Sequence, residues 1–329
     1  MRTGAVRGRG APGRPGSRAL LFAVLAIATN ACNTAPPPLD PQHRPAESLL
    51  EVMAVLRRHV PDDTYRFPPA VDFTGRNVYR ASLLRLENLE RAHAESLRAG
   101  TWDETIAFAK GRALERLRAY DLAGASYRNA ARYDGRLRRE ALRSAAICDA
   151  LAEALTLDES VEEDGLPGPI QRDRAFSTYD TRDALLQRIE RDVGGDHYRF
   201  IVQEERERVM MERGAYLVAL RRLTPDGDVR ALAALQRTVV EHRESKNANR
   251  HLLALADLYR TLAEEYVLAN PPESLHFDPA HFEELVEGAA RLYESVSNQD
   301  GAPEKLEAAQ RLEAFLAFTL RVDRDRFSP

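Results

Sequence analysis

The chain has 329 residues, of which 30% are charged and 44% hydrophobic, so it is long enough for a sizeable core in one or two domains. Its formal net charge of −4 becomes −9 without the first 31 residues, which hold five arginines and no acid. An acidic body with no basic stripe argues against nucleic acid as a partner. Only 7% of the residues are aromatic, and Ala, Leu, Arg and Glu are frequent, which favours helices over sheets.

Residues 1–31 have the organisation of a secretory signal. A basic segment precedes the apolar run 19–28, which is too short to span a bilayer as a helix, and Thr29-Asn30-Ala31-Cys32 follows. A cysteine directly after a small residue at this place resembles the lipobox of bacterial lipoproteins. The resemblance implies cleavage before Cys32, its modification with diacylglycerol and acylation with a fatty acid such as palmitate. Ordinary secretion with cleavage after Ala28 is the alternative.

Residues 32–45 are predicted to form a tether. Five prolines without apolar periodicity favour an extended, semi-rigid spacer between a lipid anchor and a folded body. The residue after the cysteine is Asn33, not Asp, and by resemblance to lipoprotein sorting this implies the outer membrane, with the body facing the periplasm. One predicted partner is therefore the lipid bilayer, through acylated Cys32.

Apolar residues at helical spacing predict a series of helices in the body. An acidic segment punctuated by Pro and Gly, 157–176, is the predicted linker between an N-terminal helical domain, 46–156, and a C-terminal one, 177–329. Gly100 and Gly194 are expected to end the helices that precede them. Besides a hairpin at 101–135, the predicted helices are 46–60, 76–97, 136–155, 181–193, 196–223, 228–243, 249–268, 279–296 and 303–322.

The segment 101–135 is predicted to be a helical hairpin, with one helix to about residue 119 and a second over 121–133. Thr101 and Glu104 have the spacing of a capping box, in which each side chain accepts a hydrogen bond from the backbone N–H of the other residue. Small residues at Gly111 and Ala123 are expected to let the two helices touch backbone to backbone.

The hairpin resembles one tetratricopeptide repeat, a helix–turn–helix unit of about 34 residues. A generic hairpin with small residues by chance is the alternative. A weaker echo, at Leu252, Leu255, Ala256 and Tyr259, matches the first helix of such a unit. The resemblance implies an all-α fold, a right-handed stack of helical hairpins in a degenerate α-solenoid. The residues of 101–135 that match the packing positions are Gly111, Ala113, Leu114, Ala123 and Ala130, with Tyr120 and Tyr127 at the turn and second helix.

No motif of an enzyme or a cofactor site is present: the mature chain lacks a Gly-rich phosphate loop, GxSxG and HExxH. We therefore predict no catalytic residue, cofactor or metal. The histidine pair His276 and His281, near Asp278 and Glu284, has no common ligand spacing and is interpreted as part of a loop. Cys148 lies in an apolar helical pattern and is expected to be buried.

The resemblance to lipidated tetratricopeptide proteins implies a non-enzymatic envelope lipoprotein. Its helical body would act as an interaction scaffold or assembly factor that binds an envelope protein or peptide segment. Tyr120, Tyr127 and Arg128 are the candidate partner-binding residues, although Tyr127 also suits core packing. The alternative is a cell-wall enzyme or a small-ligand-binding helical lipoprotein. A pocket lined by carboxylates of perturbed pKa would favour that alternative.

Overall fold

The computed structural model describes residues 43–156 and 168–326. In these two ranges the secondary structure is helical, with a single isolated β-bridge between Val71 and Asn77 and no strand. The predicted all-α fold class is confirmed. The helices are α1 (His43–His59), α2 (Val78–Ala99), α3 (Asp103–Arg116), α4 (Tyr120–Ala130), α5 (Arg138–Thr156), α6 (Pro169–Val193), α7 (Tyr198–Leu220), a short 3-10 helix (Arg221–Leu223), α8 (Gly227–Glu241), α9 (Ala248–Ala269), α10 (Pro279–Ser297) and α11 (Lys305–Arg326).

Each helix packs against the next one along the chain, from α1 to α11. Apolar faces bury themselves between these neighbours and form several core clusters, one of which runs from Ala107 on α3 to Val209 on α7. Packing between neighbours is what a stack of hairpins requires, while the right-handed sense of the stack stays a prediction. Cys148 is a fully buried free thiol inside this cluster, as expected.

The predicted linker 157–176 is partly helical. Helix α6 begins at Pro169, where proline is favoured because the first helical N–H needs no partner, so residues 169–176 belong to the helix. Residues 157–167 lie outside the described residues. The core cluster that includes Leu151 on α5 continues to Leu186 on α6 and Ile201 on α7, so the two predicted domains share one core.

Helices α3 and α4 form the predicted hairpin, with ends a few residues shorter than expected. Gly111 on α3 makes room for a ring and not for a backbone: a Cβ there would lie 2.6 Å from Cε1 of Tyr127. The same device recurs between α9 and α10, where a Cβ on Gly288 would lie 2.9 Å from the ring of Tyr259. The other small or apolar packing residues of the hairpin are buried: Ala113, Leu114, Ala123 and Ala130.

The predicted capping box is wrong. Thr101 lies outside α3 in a left-handed conformation, with φ of 59°, and its hydroxyl donates to the carbonyl of Gly100. Glu104 reaches instead to the start of α5, where its carboxylate accepts the backbone N–H of Leu137 at 3.0 Å. The carboxylate that the capping box assigned to the start of α3 is therefore used in a tertiary contact with Leu137. Gly100 and Gly194 end α2 and α6 as predicted.

The predicted signal peptide, Cys32 and most of the tether lie in residues 1–42, outside the described residues. The last three tether residues, 43–45, are the start of α1. Within 43–156 and 168–326, no helix combines the length and apolar character needed to cross a bilayer.

Candidate binding site

Helix α7 connects the early helices to the late ones through buried carboxylates. Glu205, 2% exposed, accepts two hydrogen bonds from Arg118, from Nε at 2.6 Å and from Nη2 at 2.7 Å. The hydroxyl of Tyr120 donates to the same carboxylate at 3.0 Å. Arg118 is in the turn between α3 and α4 with φ of 62°, a left-handed conformation that costs a non-glycine residue roughly 1–3 kcal/mol. The residue with the strained backbone, Arg118, is thus the one that forms the bidentate pair with Glu205.

A second buried carboxylate, Glu115 on α3, is enclosed by hydrogen bonds. The hydroxyls of Tyr127 and Tyr198 each donate to Oε2 at 2.6 Å. Nη1 of Arg112 donates to Oε1 at 3.1 Å, and Nε2 of His197 lies 2.8 Å from the same atom. Burial raises the pKa of this carboxyl, but the Arg112 guanidinium and the hydrogen bonds outweigh burial and hold the pKa of Glu115 at about 2.

A third carboxylate, Glu207 on α7, holds the connection between α8 and α9. His251 Nε2 lies 2.6 Å from its Oε1, the hydroxyl of Ser245 donates to the same oxygen, and Nδ2 of Asn247 donates to Oε2 at 3.2 Å. Burial acts to raise the pKa of Glu207, and the hydrogen bonds from His251 and Ser245 lower it below its ordinary value. Glu207 is therefore ionised and fixed in place at neutral pH.

The irregular segment 60–77 packs onto the same α8–α9 connection. The hydroxyl of Tyr65 lies 2.9 Å from Nδ1 of His242, and the backbone N–H of Lys246 donates to the carbonyl of Tyr65 at 2.9 Å. Nζ of Lys246 donates to the carbonyl of Thr64 at 2.6 Å. Burial lowers the pKa of His242 to about 4, so its imidazole is neutral at pH 7.

Two concave regions border α7, on opposite faces of the helix. The first, the inner cavity, is a partly open recess of about 230 Å³ between α7, the α3–α4 turn and the segment 60–77. Its α7 residues are Ile201, Glu204, Glu205 and Arg208, which share one face at helical spacing. The remaining lining residues are Thr64, Pro69, Asn77, Glu115, Arg116, Leu117, Arg118 and Tyr120.

The second concave region, the outer groove, is an open channel of about 380 Å³ between α6, α7 and α8. Its floor is apolar, with Val209, Met210 and Leu217, and its rim is charged. Four arginines line it against two acids, Asp183 and Glu241. The arginines are Arg206 and Arg213 on α7, and Arg230 and Arg237 on α8.

The carboxylates Glu115 and Glu207 beside α7 are suited to holding structure or charge and not to donating a proton. A general acid needs a carboxyl group whose pKa is raised toward the working pH. Glu115 and Glu207 are displaced the other way, because their buried charge is met by cations and hydroxyl donors. Neither can supply a proton near neutral pH.

The three predicted partner-binding residues lie in two environments. Tyr120 and Tyr127 are 2% and 0% exposed, so their rings present no surface to a partner in this conformation. The hydroxyl of Tyr120 donates to Glu205 on α7, and the hydroxyl of Tyr127 donates to Glu115 on α3. Arg128 is exposed and pairs with Asp149 of α5 at 2.6 Å, away from both concave regions.

Sequence reasoning did not single out the buried glutamates or the arginines of the outer groove. Glu204, Glu205 and Glu207 belong to the run QEERER, which has the composition of a solvated helix face. The sequence does contain one indication of these buried carboxylates. Tyrosines at the start of helices, such as Tyr120 and Tyr198, need polar partners for their hydroxyls when they are buried.

The residues weighed as a metal site do not assemble into one. His281 Nδ1 lies 4.0 Å from Glu284, and the part of the chain that the structure describes holds no group of three or more His, Cys, Asp or Glu side chains arranged for a metal ion.

No protein-family model matches the chain. A search of curated proteins likewise found no significant match.

Proposed function

We propose that this chain is a non-enzymatic envelope lipoprotein whose helical body binds an acidic segment of another envelope protein in the outer groove. The observation that carries the proposal is the pair of weakly neutralised arginines on α8, Arg230 and Arg237, beside the apolar residues of the groove. Interfaces of this kind combine an apolar centre with a charged rim that selects the partner.

The arginines of α7 and those of α8 differ in how far they are already neutralised. Arg206 lies 3.1 Å from Asp183 and 2.8 Å from Glu190, and Arg213 lies 2.6 Å from Asp180. These pairs fix the α7 side of the groove. The arginines of α8 are the ones left to receive a partner's charge.

Arg230 and Arg237 are both exposed on α8. The guanidinium of Arg230 lies 5.4 Å from the ring centre of Phe176, with no carboxylate within ion-pair distance in the described ranges. Arg237 is 4.0 Å from Glu241, an exposed pair worth little. Seven residues of helix separate the two arginines by about 10.5 Å along the axis. A matching partner has acidic side chains about 10 Å apart, which is two turns of helix or about three residues of extended chain.

A photo-cross-linking amino acid at two positions on α8 tests the proposal in cells. Ala233 lines the outer groove, and Val240 is 71% exposed on the same helix but outside it. We expect one envelope protein to be captured from position 233 and not from position 240. The double substitution Arg230→Glu and Arg237→Glu should abolish that adduct, while the same reversal at Arg321 on α11, also exposed, should leave it unchanged.

Identical adducts at positions 233 and 240, no adduct at 233, or an adduct that survives the double charge reversal would overturn the outer groove as the binding surface. A captured segment without acidic residues would overturn the charge argument even if the surface is right.

The lipid anchor and the outer-membrane location are part of the same proposal and rest on the sequence 19–33. A tether between an acylated Cys32 and α1 would hold the outer groove off the membrane, within reach of periplasmic or membrane-bound partners. The alternative of a cell-wall enzyme is favoured by the perturbed pKa of Glu115 in the lining of the inner cavity, but neither Glu115 nor Glu207 offers the proton donor that such an enzyme needs, because their lowered pKa values keep them ionised.

A further inference from the structure

Residues 66–76, which we call the apolar loop, expose three large apolar side chains. Phe67 is 63% exposed, Val71 is 61% exposed and Phe73 is fully exposed. The two prolines that follow Phe67 are exposed as well. One exposed apolar residue needs no explanation, but three of them within seven residues form a patch of the kind that marks a contact with a partner or a membrane.

The apolar loop is closed by its own hydrogen bonds and is not a loose connection. The carboxylate of Asp72 accepts the backbone N–H of Thr74 at 2.9 Å and that of Arg76 at 3.0 Å. The N–H of Gly75 donates to the carbonyl of Asp72 at 3.0 Å, and Gly75 has a φ of 79°, which glycine adopts without strain. Phe73 therefore lies in a formed turn that holds its ring in solvent.

Both ends of the apolar loop are fixed to the helical body. At its start, Arg66 pairs with Glu244 of the α8–α9 connection at 2.7 Å, next to the contacts of Tyr65. Directly after it, Asn77 caps α2, where its side chain accepts the backbone N–H of Arg80. Because the body holds the loop in this position, an outside surface is what would remove the apolar side chains from water, and that removal is favourable.

The exposed area favours a bilayer over another protein as this outside surface. Three apolar side chains and two prolines present roughly a few hundred Å², whereas a stable protein–protein interface takes about 800 Å² from each partner. A bilayer imposes no such minimum on a chain that is already attached to the membrane, because the loop then has only to insert its side chains.

The charges at the apolar loop suit lipid headgroups. Asp72 is the one acid among residues 66–76, and its carboxylate is used by the turn. Arg76 and Arg80 are exposed where the loop enters α2. Arginine donates to phosphate oxygens while apolar neighbours lie below the headgroups. The chain without its first 31 residues has a net charge of −9, so an anionic lipid surface is less favourable for the rest of the body.

We propose that the apolar loop inserts Phe67, Val71 and Phe73 into the interface of a phospholipid bilayer and thereby sets how the body lies on the membrane. For attachment at Cys32, this rests on the lipid anchor of the proposed function. Residues 32–42, as extended as their prolines predict, would span about 34 Å. Helix α1 has 17 residues and is about 25 Å long, so the loop at its far end can reach the bilayer. None of residues 66–76 lines the outer groove, so the two surfaces do not compete.

Tryptophan fluorescence at position 73 tests the proposal, because Trp102 is the chain's only tryptophan and the wild type supplies the background. The Phe73→Trp chain is added to vesicles of phosphatidylethanolamine and phosphatidylglycerol, with and without brominated acyl chains, which quench a tryptophan that lies among them. We expect brominated lipid to quench the emission that Phe73→Trp adds.

Leu275→Trp is the matched control. Leu275 is also fully exposed in a connection between helices. It lies beyond the end of α9, which has 22 residues and is about 33 Å long, and the segment 60–77 contacts the connection at the start of α9. Emission from position 275 should not be quenched.

The mature sequence from residue 32, produced with Cys32→Ala, separates the loop from the anchor. It keeps every described helix and carries no acyl chain. In this chain with Phe73→Trp, the further change Phe67→Ser should raise about tenfold the lipid concentration needed for half-maximal quenching, because one aromatic side chain is no longer inserted. Leu275→Ser should leave that concentration unchanged.

Three results would overturn the bilayer contact and point to a protein partner instead. They are no quenching at position 73 at saturating lipid, equal quenching at positions 73 and 275, and a half-maximal lipid concentration that Phe67→Ser leaves unchanged. Failure of the anchor has a different signature. The wild type and the mature Cys32→Ala chain would then float equally with vesicles, with quenching at position 73 retained.

Discussion

Gly111 is the position where a single added methyl group should disturb the α3–α4 hairpin most. A Cβ built there lies 2.6–2.7 Å from three atoms of the Tyr127 ring, whereas ordinary contacts begin at 3.4 Å. The ring would have to retreat by about 0.8 Å, the difference between those two distances. Tyr127 is fully buried and its hydroxyl is 2.6 Å from Glu115, so the ring has little freedom to move.

Either response of the ring to Gly111→Ala costs stability. A ring that stays is overpacked, at about 1–3 kcal/mol. A ring that retreats stretches its hydrogen bond to the buried carboxylate of Glu115, which is worth about 1.5–3 kcal/mol. Replacing glycine by alanine inside a helix gains about 1 kcal/mol. We therefore expect a net loss of up to about 2 kcal/mol in the free energy of unfolding.

Gly124→Ala on α4 is the matched control for this prediction. A Cβ there would lie 2.5 Å from the carboxylate of Asp149, but that group is the end of an exposed side chain and can turn away. The variant should equal the wild type or exceed it by up to about 1 kcal/mol. Urea denaturation followed by circular dichroism measures both variants. If Gly111→Ala is as stable as Gly124→Ala, the ring does not limit the packing and the reasoning fails.

Three further predictions concern protonation, backbone strain and the anchor. Because the pKa of His242 is about 4 in the fold and 6.5 in the unfolded chain, stability should be lost as pH falls from about 6.5 to 4. His242→Asn should flatten that dependence in pH-dependent urea titrations, and equal slopes would contradict it. Arg118→Ala and Arg118→Gly both remove the pair with Glu205, but the glycine variant should be more stable by about 1 kcal/mol in urea, since φ is 62° there; equal stabilities would exclude backbone strain. Cys32→Ala should abolish fatty-acid labelling and release the protein from membranes, and unchanged labelling would refute lipidation.

The helices could be predicted from the sequence because each buries one apolar face against its neighbours. Leu49 and Leu56 are buried on one face of α1, within the predicted helix 46–60, and glycine ends α2 and α6 where it was expected. The start of α3 could not be predicted in the same way. Thr101 and Glu104 have the right local spacing, but the backbone of Leu137, more than thirty residues away, takes the carboxylate.

The polar contacts beside α7 were hidden for a related reason. Glu115 and Glu205 sit in charged stretches that read as solvated surface, and their burial depends on partners 82 to 87 residues away. Tyr120 was predicted to face a partner, yet its hydroxyl serves Glu205 and its ring lies in the core. Periodicity identifies which face of a helix is buried, but it does not identify the distant residue that neutralises a buried charge.

The contact between the segment 60–77 and the α8–α9 connection has a consequence for how the chain folds. In arrays whose units touch only their neighbours, folding can begin anywhere and spread, and contact order stays low. Here Tyr65 and His242 meet across 177 residues, and Lys246 closes the same junction. During synthesis, the segment after α1 must therefore wait for the α8–α9 connection to emerge before it reaches its final position.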